Sequence, residues 1–547
     1  SPVTITVKNS MKLLFFFLIT TTAAMHSTAR LTTVQHRNVR SWNSPASLRR
    51  MCDHAHDFKE SCRRIVSEVS QNQTQKTNGK NFIEQVLRDS THRINVTTKK
   101  VKHVGLRISR TREQASLTAC AELMDLSLGR IIGSIETLKK VNASTESRAE
   151  AHTWLSTVLT NHMTCLEELR SHNMSKLEKA LEDLIVRART SLSAFVSVYI
   201  RTPAKAQAGF SFKEDFPSWV AREDRELLKG SNPTLTANVV VAKDGSGKYK
   251  KISDAIAAAP SQSNTRYVIY VKKGKYKETV RLGSSLRNIM LVGDGMTSTI
   301  ISGSANAVDG KSTFDSATVA AVGDDFILQD IGIENTAGPE KHQAVALRIG
   351  GDRSVVNRCQ IDGYQDTLYA HSNRQFYRDC TVTGTVDFIF GNAAVVLQNC
   401  RLVVRRPMAG QKNTITAQGR TDSNQNTGTS IQNCNIVPSD DLPVNTVNSY
   451  LGRPWKSYSR TVVMQSYIGS FINPAGWLAW KGNFALDTLY YGEYMNQGGG
   501  ADTSQRVNWP GYQVIKKSSV AAKFTVAQLI QGDSWLGSTG VTYNPGL

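Results

Sequence analysis

Long apolar runs are almost absent from this chain of 547 residues. The single one, Leu13–Ala24, falls short of the roughly 20 residues that a membrane-crossing helix needs, so a polytopic membrane protein is excluded. Proline is sparse at 14 residues and glycine stands at 38, which excludes collagen and proline-rich low-complexity chain. No Gly-x-Ser-x-Gly is found, the strained turn that presents a serine nucleophile. No Cys/His set has zinc spacing, and no nucleic-acid recognition motif accompanies the excess of basic residues. Negative charge is in deficit: 66 Lys+Arg against 45 Asp+Glu gives a net +21. With 20% charged and 40% hydrophobic residues, the chain can still build a core and is not wholly disordered. The length predicts two to four domains.

What is present points out of the cytosol. Met11 and Lys12 precede the apolar run and small residues follow it, the pattern of a cleaved secretory signal. Residues 1–28 are therefore expected to be upstream translation and signal peptide, with Met11 as the true start and no stable membrane span in the mature protein. Eight cysteines fall into two groups of four: Cys52, Cys62, Cys120 and Cys165, then Cys359, Cys380, Cys400 and Cys434. Disulfides are permitted in such a compartment. Glycosylation sequons stand at Asn72, Asn95, Asn142 and Asn173, all in the first half.

The two halves follow different periodicities. Between about residues 48 and 198, Leu117, Cys120, Met124, Leu128, Ile131, Ile135 and Leu138 recur at steps of three and four, as do Leu177, Leu181, Leu184, Ala188, Leu192 and Phe195. Such stripes bury one helix face, and several helices in succession predict an all-α bundle. Cys120 and Cys165, on successive helices, can tie two of them together. Residues 199–238, with three prolines and a charged stretch over 222–229, read as a linker. From 239 to 547, short runs of Val, Ile, Thr and Tyr alternate with Gly and Asn turns. Both halves are basic, 34 − 22 = +12 for 1–228 and 32 − 23 = +9 for 229–547. A polyanionic sugar is the natural partner of a secreted protein with this balance, and nucleic acid is not expected.

The strand-rich half repeats itself. Leu328-Gln-Asp-Ile-Gly-Ile333 aligns with runs starting at Val356, Tyr377, Leu397 and Ile431, at steps of 28, 21, 20 and 34 residues. A strand-rich repeat near 20 residues with variable insertions predicts a parallel β-helix. Residues one coil apart then stack at about 4.7–4.9 Å. Cys359, Cys380, Cys400 and Cys434 take equivalent places and should form a column. Its neighbours can either approach disulfide geometry or form a ladder of small buried side chains. The same arithmetic stacks Asp366 and Asp387, 21 residues apart, with the amides of Gln343 and Gln365 beside them. Two carboxylates so close cannot both ionise easily, so one holds its proton and the other is free to act as nucleophile or base. The amides can hold a developing oxyanion. A structural ladder of turn-capping Asp and Gln is the other reading of the spacing.

Five local sequences decide between these readings: Gly274-Lys-Tyr-Lys-Glu278, Gln343-Ala-Val-Ala-Leu-Arg348, Gly363-Tyr-Gln-Asp-Thr-Leu368, Asp387-Phe-Ile-Phe-Gly391 and Leu451-Gly-Arg-Pro-Trp455. With them the chain strongly resembles the plant pectin methylesterases, in family order across 239–547, and the likeness extends through Asn483 and to Tyr490-Tyr-Gly-Glu493. The first half resembles the pectin methylesterase inhibitor fold that precedes many such enzymes, through the Cys52–Cys62 pair, the Cys120-Ala-Glu-Leu helix and the segment from Trp154 to Cys165. The first cysteine pair is one residue wider than usual, and the last helix departs from the usual composition.

The resemblance implies a four-helix-bundle pro-region at 48–198 and a right-handed parallel β-helix pectinesterase domain at 239–547. It implies Asp387 as nucleophile on the C6 methyl ester of homogalacturonan and Asp366 as acid, then base. It gives Gln343 and Gln365 the oxyanion, pairs Arg453 with Asp387, and places Thr313, Gln343, Arg453 and Trp455 against substrate. It favours a Cys380–Cys400 disulfide, and it marks Arg225-Glu-Leu-Leu228 as the processing site, although Glu226 stands where the family has a second basic residue. No metal or other cofactor is expected. The expected partners are pectin and the protein's own inhibitor-like domain, and the expected location is the cell wall. Two other functions compete. A β-helix lyase or polygalacturonase would favour a calcium cluster and a basic catalyst not seen here. A non-catalytic pectin-binding protein would have no use for an intact Asp366, Asp387 and Arg453.

Overall fold

The computed structural model describes residues 45–54, 58–71, 78–108, 111–139, 144–170, 174–200 and 237–547. The apolar signal-like run, the Arg225–Leu228 site, nearly all of the 199–238 linker, and Asn72, Asn142 and Asn173 lie outside the described residues. Asn95 is exposed on a helix.

The first half comprises α1 (Pro45–Met51), α2 (Lys59–Gln71), α3 (Gly79–Gly105), α4 (Thr111–Lys139), α5 (Thr145–Arg170) and α6 (Ser175–Phe195). Asn78 opens α3 by accepting the amide of Asn81 at 2.9 Å, which satisfies one of the amides a helix start leaves free. The apolar stripes point inward: Leu117, Cys120, Met124 and Ile131 are buried, as are Leu181, Leu184, Leu192 and Phe195. α3 packs on α4, α4 on α5, α5 on α6 and α6 back on α3, closing a four-helix bundle. Disulfides join Cys52 to Cys62 and Cys120 to Cys165. None of the described helices is long and apolar enough to cross a membrane.

The second half is a parallel β-helix of three sheets with eleven, eight and seven strands. The sequence repeat is its register: Leu328, Val356, Tyr377, Leu397 and Ile431 are consecutive partners across four ladders. The residue before each cysteine of the column turns the chain between sheets at positive φ: Arg358 at 50°, Asp379 at 53°, Asn399 at 57° and Asn433 at 53°. Asp and Asn tolerate this conformation. Arg358, which does not favour it, is clamped by Asp330 of the coil above at 2.7 and 2.6 Å.

The four cysteines do form a buried column, but Cys380 and Cys400 are separate thiols, and so are Cys359 and Cys434. This corrects the pairing implied by the family resemblance. In-register parallel stacking carries successive Cβ atoms apart by the strand spacing, about 4.8 Å. A disulfide wants about 3.8 Å and side chains turned toward each other. Each sulfur lies beside its neighbours in the column, Cys380 beside Cys359 and Cys400, and also reaches main-chain carbonyls, as Cys380 does Val356 O at 3.4 Å and Arg378 O at 3.2 Å.

The bundle docks on the outer face of the seven-stranded sheet, where Phe314, Ala320, Tyr369 and Phe390 join its apolar core. α5 lies along this face through a row of threonines. Thr153, Thr157, Thr160 and Thr164 meet Asn426, Asn373, Asn392 and His371 at 2.8, 2.8, 2.9 and 3.0 Å. Arg130 of α4 pairs with Asp324, and the Trp154 indole donates to Asp352 at 3.0 Å.

Candidate active site

The two aspartates hold equivalent places in adjacent coils. The strand Leu368–Ala370 pairs with Ile389–Gly391, Leu368 opposite Ile389, so Asp366 and Asp387 each lie two residues before a ladder pair. Both sit in left-handed turns, at φ 64° and 52°. Aspartate tolerates this conformation, and the turn aims both side chains at the same cleft. The glycine that ends Asp387-Phe-Ile-Phe-Gly391 has a backbone reason. Its φ is 122°, and a Cβ there would lie 2.1 Å from the carbonyl oxygen of Ala370.

Asp387 is 5% exposed and fully engaged. Arg453 grips both its oxygens, Nε to Oδ1 at 2.8 Å and Nη2 to Oδ2 at 2.7 Å. The Thr414 hydroxyl donates a third bond to Oδ1 at 2.6 Å and accepts from the Asp387 amide at 2.9 Å. Bidentate, charge-assisted bonds of this kind fix a carboxylate in position and orientation. Burial pulls the Arg453 guanidinium down, but its bond to Asp387 outweighs that and the net shift is upward.

Asp366 has the opposite electrostatics. Burial, then the neighbouring Asp387 charge, push its carboxyl well above the usual range, with Arg453 offsetting a part. One aspartate is thus clamped by an arginine, and its neighbour is pushed toward the acid form by burial and by the charge beside it.

Both line a cleft of about 760 Å³ together with Gln343, Gln365, Thr313, Arg453 and Trp455. The structure thereby brings together all seven catalytic and substrate-facing residues singled out in the sequence. The floor of the cleft is an aromatic row: Tyr369 stacks on Phe390 with centroids 4.2 Å apart, and Phe390 meets Trp455 edge-on at 5.9 Å. Trp480 lies against the Arg453 guanidinium, 4.3 Å from centroid to carbon.

Sequence reasoning missed Thr414, Trp480 and the Tyr369–Phe390 stack. Thr414 was in principle accessible, because the alternating run Asn413–Gln418 is the next rung, Thr416 facing Ile389. The insertion over 405–412 stretches the step from Asp387 to 27 residues and hides the alignment.

The cleft has a second wall. Ser116 of α4 and Thr164, Glu167 and Glu168 of α5 line it from the bundle side. Glu167 forms an ion pair with Lys456, next to Trp455. Glu168 receives a bond from Ser116 at 3.1 Å. Burial, with Asp315 and Glu167 as neighbouring charges, pushes its carboxyl up to about 7.

Known proteins resemble both halves. Residues 238–533 match the family model described as pectinesterase, and residues 46–200 match plant invertase/pectin methylesterase inhibitor. Pectinesterase/pectinesterase inhibitor 18 of Arabidopsis thaliana is 53% identical over 98% of this chain and 96% of its own. Pectinesterase 2.1 of Solanum lycopersicum is 54% identical over 91% of this chain and 90% of its own. Among solved structures, pectin methylesterase from carrot is 59% identical with a TM-score of 0.57, covering 57% of this chain and 99% of that one. Matched along nearly its whole length by relatives that pair the same two halves, this chain belongs to the pectinesterase family and carries an inhibitor-like helical domain ahead of its esterase domain.

Proposed function

We propose that the Asp366–Asp387 pair hydrolyses the C6 methyl esters of cell-wall homogalacturonan by a two-step acyl transfer. The observation that carries this reading is the division of labour between the two carboxyls: Asp387 clamped by Arg453 and Thr414, Asp366 raised beside it. Asp387 attacks the ester carbonyl. Of its two oxygens, Oδ2 receives one of these donors and Oδ1 two, so Oδ2 keeps the freer lone pairs for attack. Gln343 and Gln365 donate to the oxyanion that forms. Asp366 gives its proton to the departing methoxide, leaving a mixed anhydride on Asp387 and free methanol. Now ionised, Asp366 takes a proton from water, whose oxygen attacks the anhydride and releases the galacturonate and Asp387. A carboxylate is a weak nucleophile, so fixed geometry supplies much of the rate.

The bundle is the autoinhibitory part in this reading. Its α4 and α5 wall the cleft that a polysaccharide must enter, which makes the docked chain a latent form. Secretion to the wall, removal of residues 1–28 and cleavage at Arg225–Leu228 complete the proposal. The Asn95 sequon is supported by its exposure.

The test is methanol release from highly esterified pectin by residues 229–547, with Asp387→Asn as control. Methanol from the wild-type segment, and a loss of about a thousandfold or more in the variant, is expected. A folded, inactive segment overturns the esterase reading. An intact secreted chain with no mature fragment on a blot overturns the processing step.

A further inference from the structure

The docked bundle brings a carboxylate to the end of the aromatic row. Glu167 of α5 lines the cleft with Asp366, Asp387 and Trp455, and its partner Lys456 follows Trp455 in the chain. The Lys456 ammonium lies 4.6 Å from the centroid of the Trp455 ring. Neither side chain is in open water; the exposures are 24% for Lys456 and 37% for Glu167.

A methyl ester is neutral, so hydrolysing it does not call for a second fixed cation beside the reacting groups. Arg453 is already committed to Asp387. Once the bundle leaves, Lys456 loses its anion and stands beside Trp455, at the end of a row of rings suited to stacking sugars. The group that replaces Glu167 must be an anion on a flat ring framework, and the polymer supplies one after every turnover: the free carboxylate of a galacturonate.

We propose that Lys456 is a specificity residue that binds the free carboxylate of an already de-esterified galacturonate near the ester being cut, and that Glu167 occupies this subsite in the docked state as an imitation of it. The inference rests on the pectinesterase reading of the same cleft. It has a kinetic consequence. Each hydrolysis creates the group that Lys456 holds, so partly de-esterified chain binds better than fully esterified chain, and the bundle competes with product for one cation. A charge-assisted contact, partly screened from solvent, is worth about tenfold in binding.

The carrot protein, which aligns over 99% of its length with 57% of this chain, indicates that the β-helix segment folds without the bundle. The test therefore uses residues 229–547, as wild type, Lys456→Gln and Lys456→Arg. Trigalacturonate binding is measured by calorimetry at low salt, and the ratio of KM on fully esterified to half-esterified oligogalacturonide by methanol release. Trigalacturonate binding is expected to weaken about tenfold in Lys456→Gln and to recover in Lys456→Arg. The KM ratio should fall from about ten toward one in Lys456→Gln. A KM that rises equally on both substrates, or trigalacturonate binding indifferent to Lys456, overturns the subsite. Lysine-dependent trigalacturonate binding with no methanol from any of the three proteins supports the subsite and overturns the esterase reading instead.

Discussion

Glu168 makes the docking of the bundle depend on pH, and the size of the effect can be worked out. The side chain is 8% exposed, held between Ser116 of α4 and the β-helix loop that carries Ser312 and Asp315, with Glu167 beside it. Burial is the main cause that raises its carboxyl, from an ordinary 4.5 to about 7, and the charges of Asp315 and Glu167 add to it. With the bundle undocked, contact with the β-helix loop is lost and the ordinary value returns. The docked form has the higher pKa, so docking takes up a proton. The contribution of Glu168 is therefore fully present below pH 4.5, weakens as pH rises from 4.5 toward 7, and levels off above that, while His371 and His152, buried at the same interface with their imidazoles pulled down to about 3 and about 4, act in the opposite sense on the acid side. A gap of about 2.5 in pKa, at about 1.4 kcal/mol each, amounts to about 3.5 kcal/mol, or about two and a half orders of magnitude in the docking constant. The two halves, expressed separately, can be titrated against each other by calorimetry at pH 5, 6, 7 and 8. Relative to Glu168→Gln, which keeps the shape without the charge and shares the interface histidines, wild type should lose most of its affinity across that range. Other groups of the cleft titrate equally in both proteins, so the difference between the two curves isolates Glu168. A ratio of the wild-type to the Glu168→Gln docking constant that does not change between pH 5 and 8 would falsify the assignment.

Two further outcomes follow from single side chains. Thr414→Val removes the 2.6 Å donor that orients Asp387 Oδ1 while keeping the volume, so kcat should fall about tenfold with KM little changed; Thr414→Ser should restore it, and an unchanged kcat would make Thr414 a packing residue only. In the bundle, Arg187 is 1% exposed and bonded to Asp183, Asp89 and Glu68 at 2.8, 2.6 and 2.8 Å. Arg187→Met leaves three carboxylates facing one another and should cost about 2–3 kcal/mol in chemical denaturation at neutral pH, less than a fully buried network would because the acids are partly solvated, and the loss should shrink at acid pH as they protonate.

Legibility in the sequence follows the regularity of the coil. Asp366 and Asp387 lie one uninterrupted 21-residue step apart, with a ladder that keeps register, so spacing alone predicted their meeting. Arg453 reaches Asp387 from 66 residues on, past two insertions whose lengths no periodicity fixes, and only the resemblance of Leu451–Trp455 to a known motif identified it. The cysteine column was legible as a column for the same reason as the aspartates. Its chemistry was not, because stacking in register places thiols side by side and spacing alone does not say whether neighbours close a bond; here they stand as separate thiols.

The docking face was the least visible, and α5 shows why. Thr153, Thr157, Thr160 and Thr164 recur at steps of four, three and four, which puts them on one side of the helix. A polar stripe of this kind is ordinarily the solvent side of an amphipathic helix. Here it is buried: each hydroxyl meets an amide or imidazole of the β-helix, and those partners lie in the turns of successive coils. The distinguishing sign was compositional. A solvated helix face usually carries Lys, Glu or Arg, whose long chains keep a charge in water. This stripe has none and uses the shortest hydroxyl side chains, which allow close approach and lose little rotamer freedom when fixed. Charge returns at Glu167 and Glu168, one turn beyond Thr164, where the helix leaves the threonine contacts and reaches the cleft. The same helix therefore holds the bundle in place through uncharged hydroxyl bonds, with the Glu150–Arg353 ion pair at its start, and blocks the site with two acids. Release can then be set by the second group without weakening the folded bundle itself.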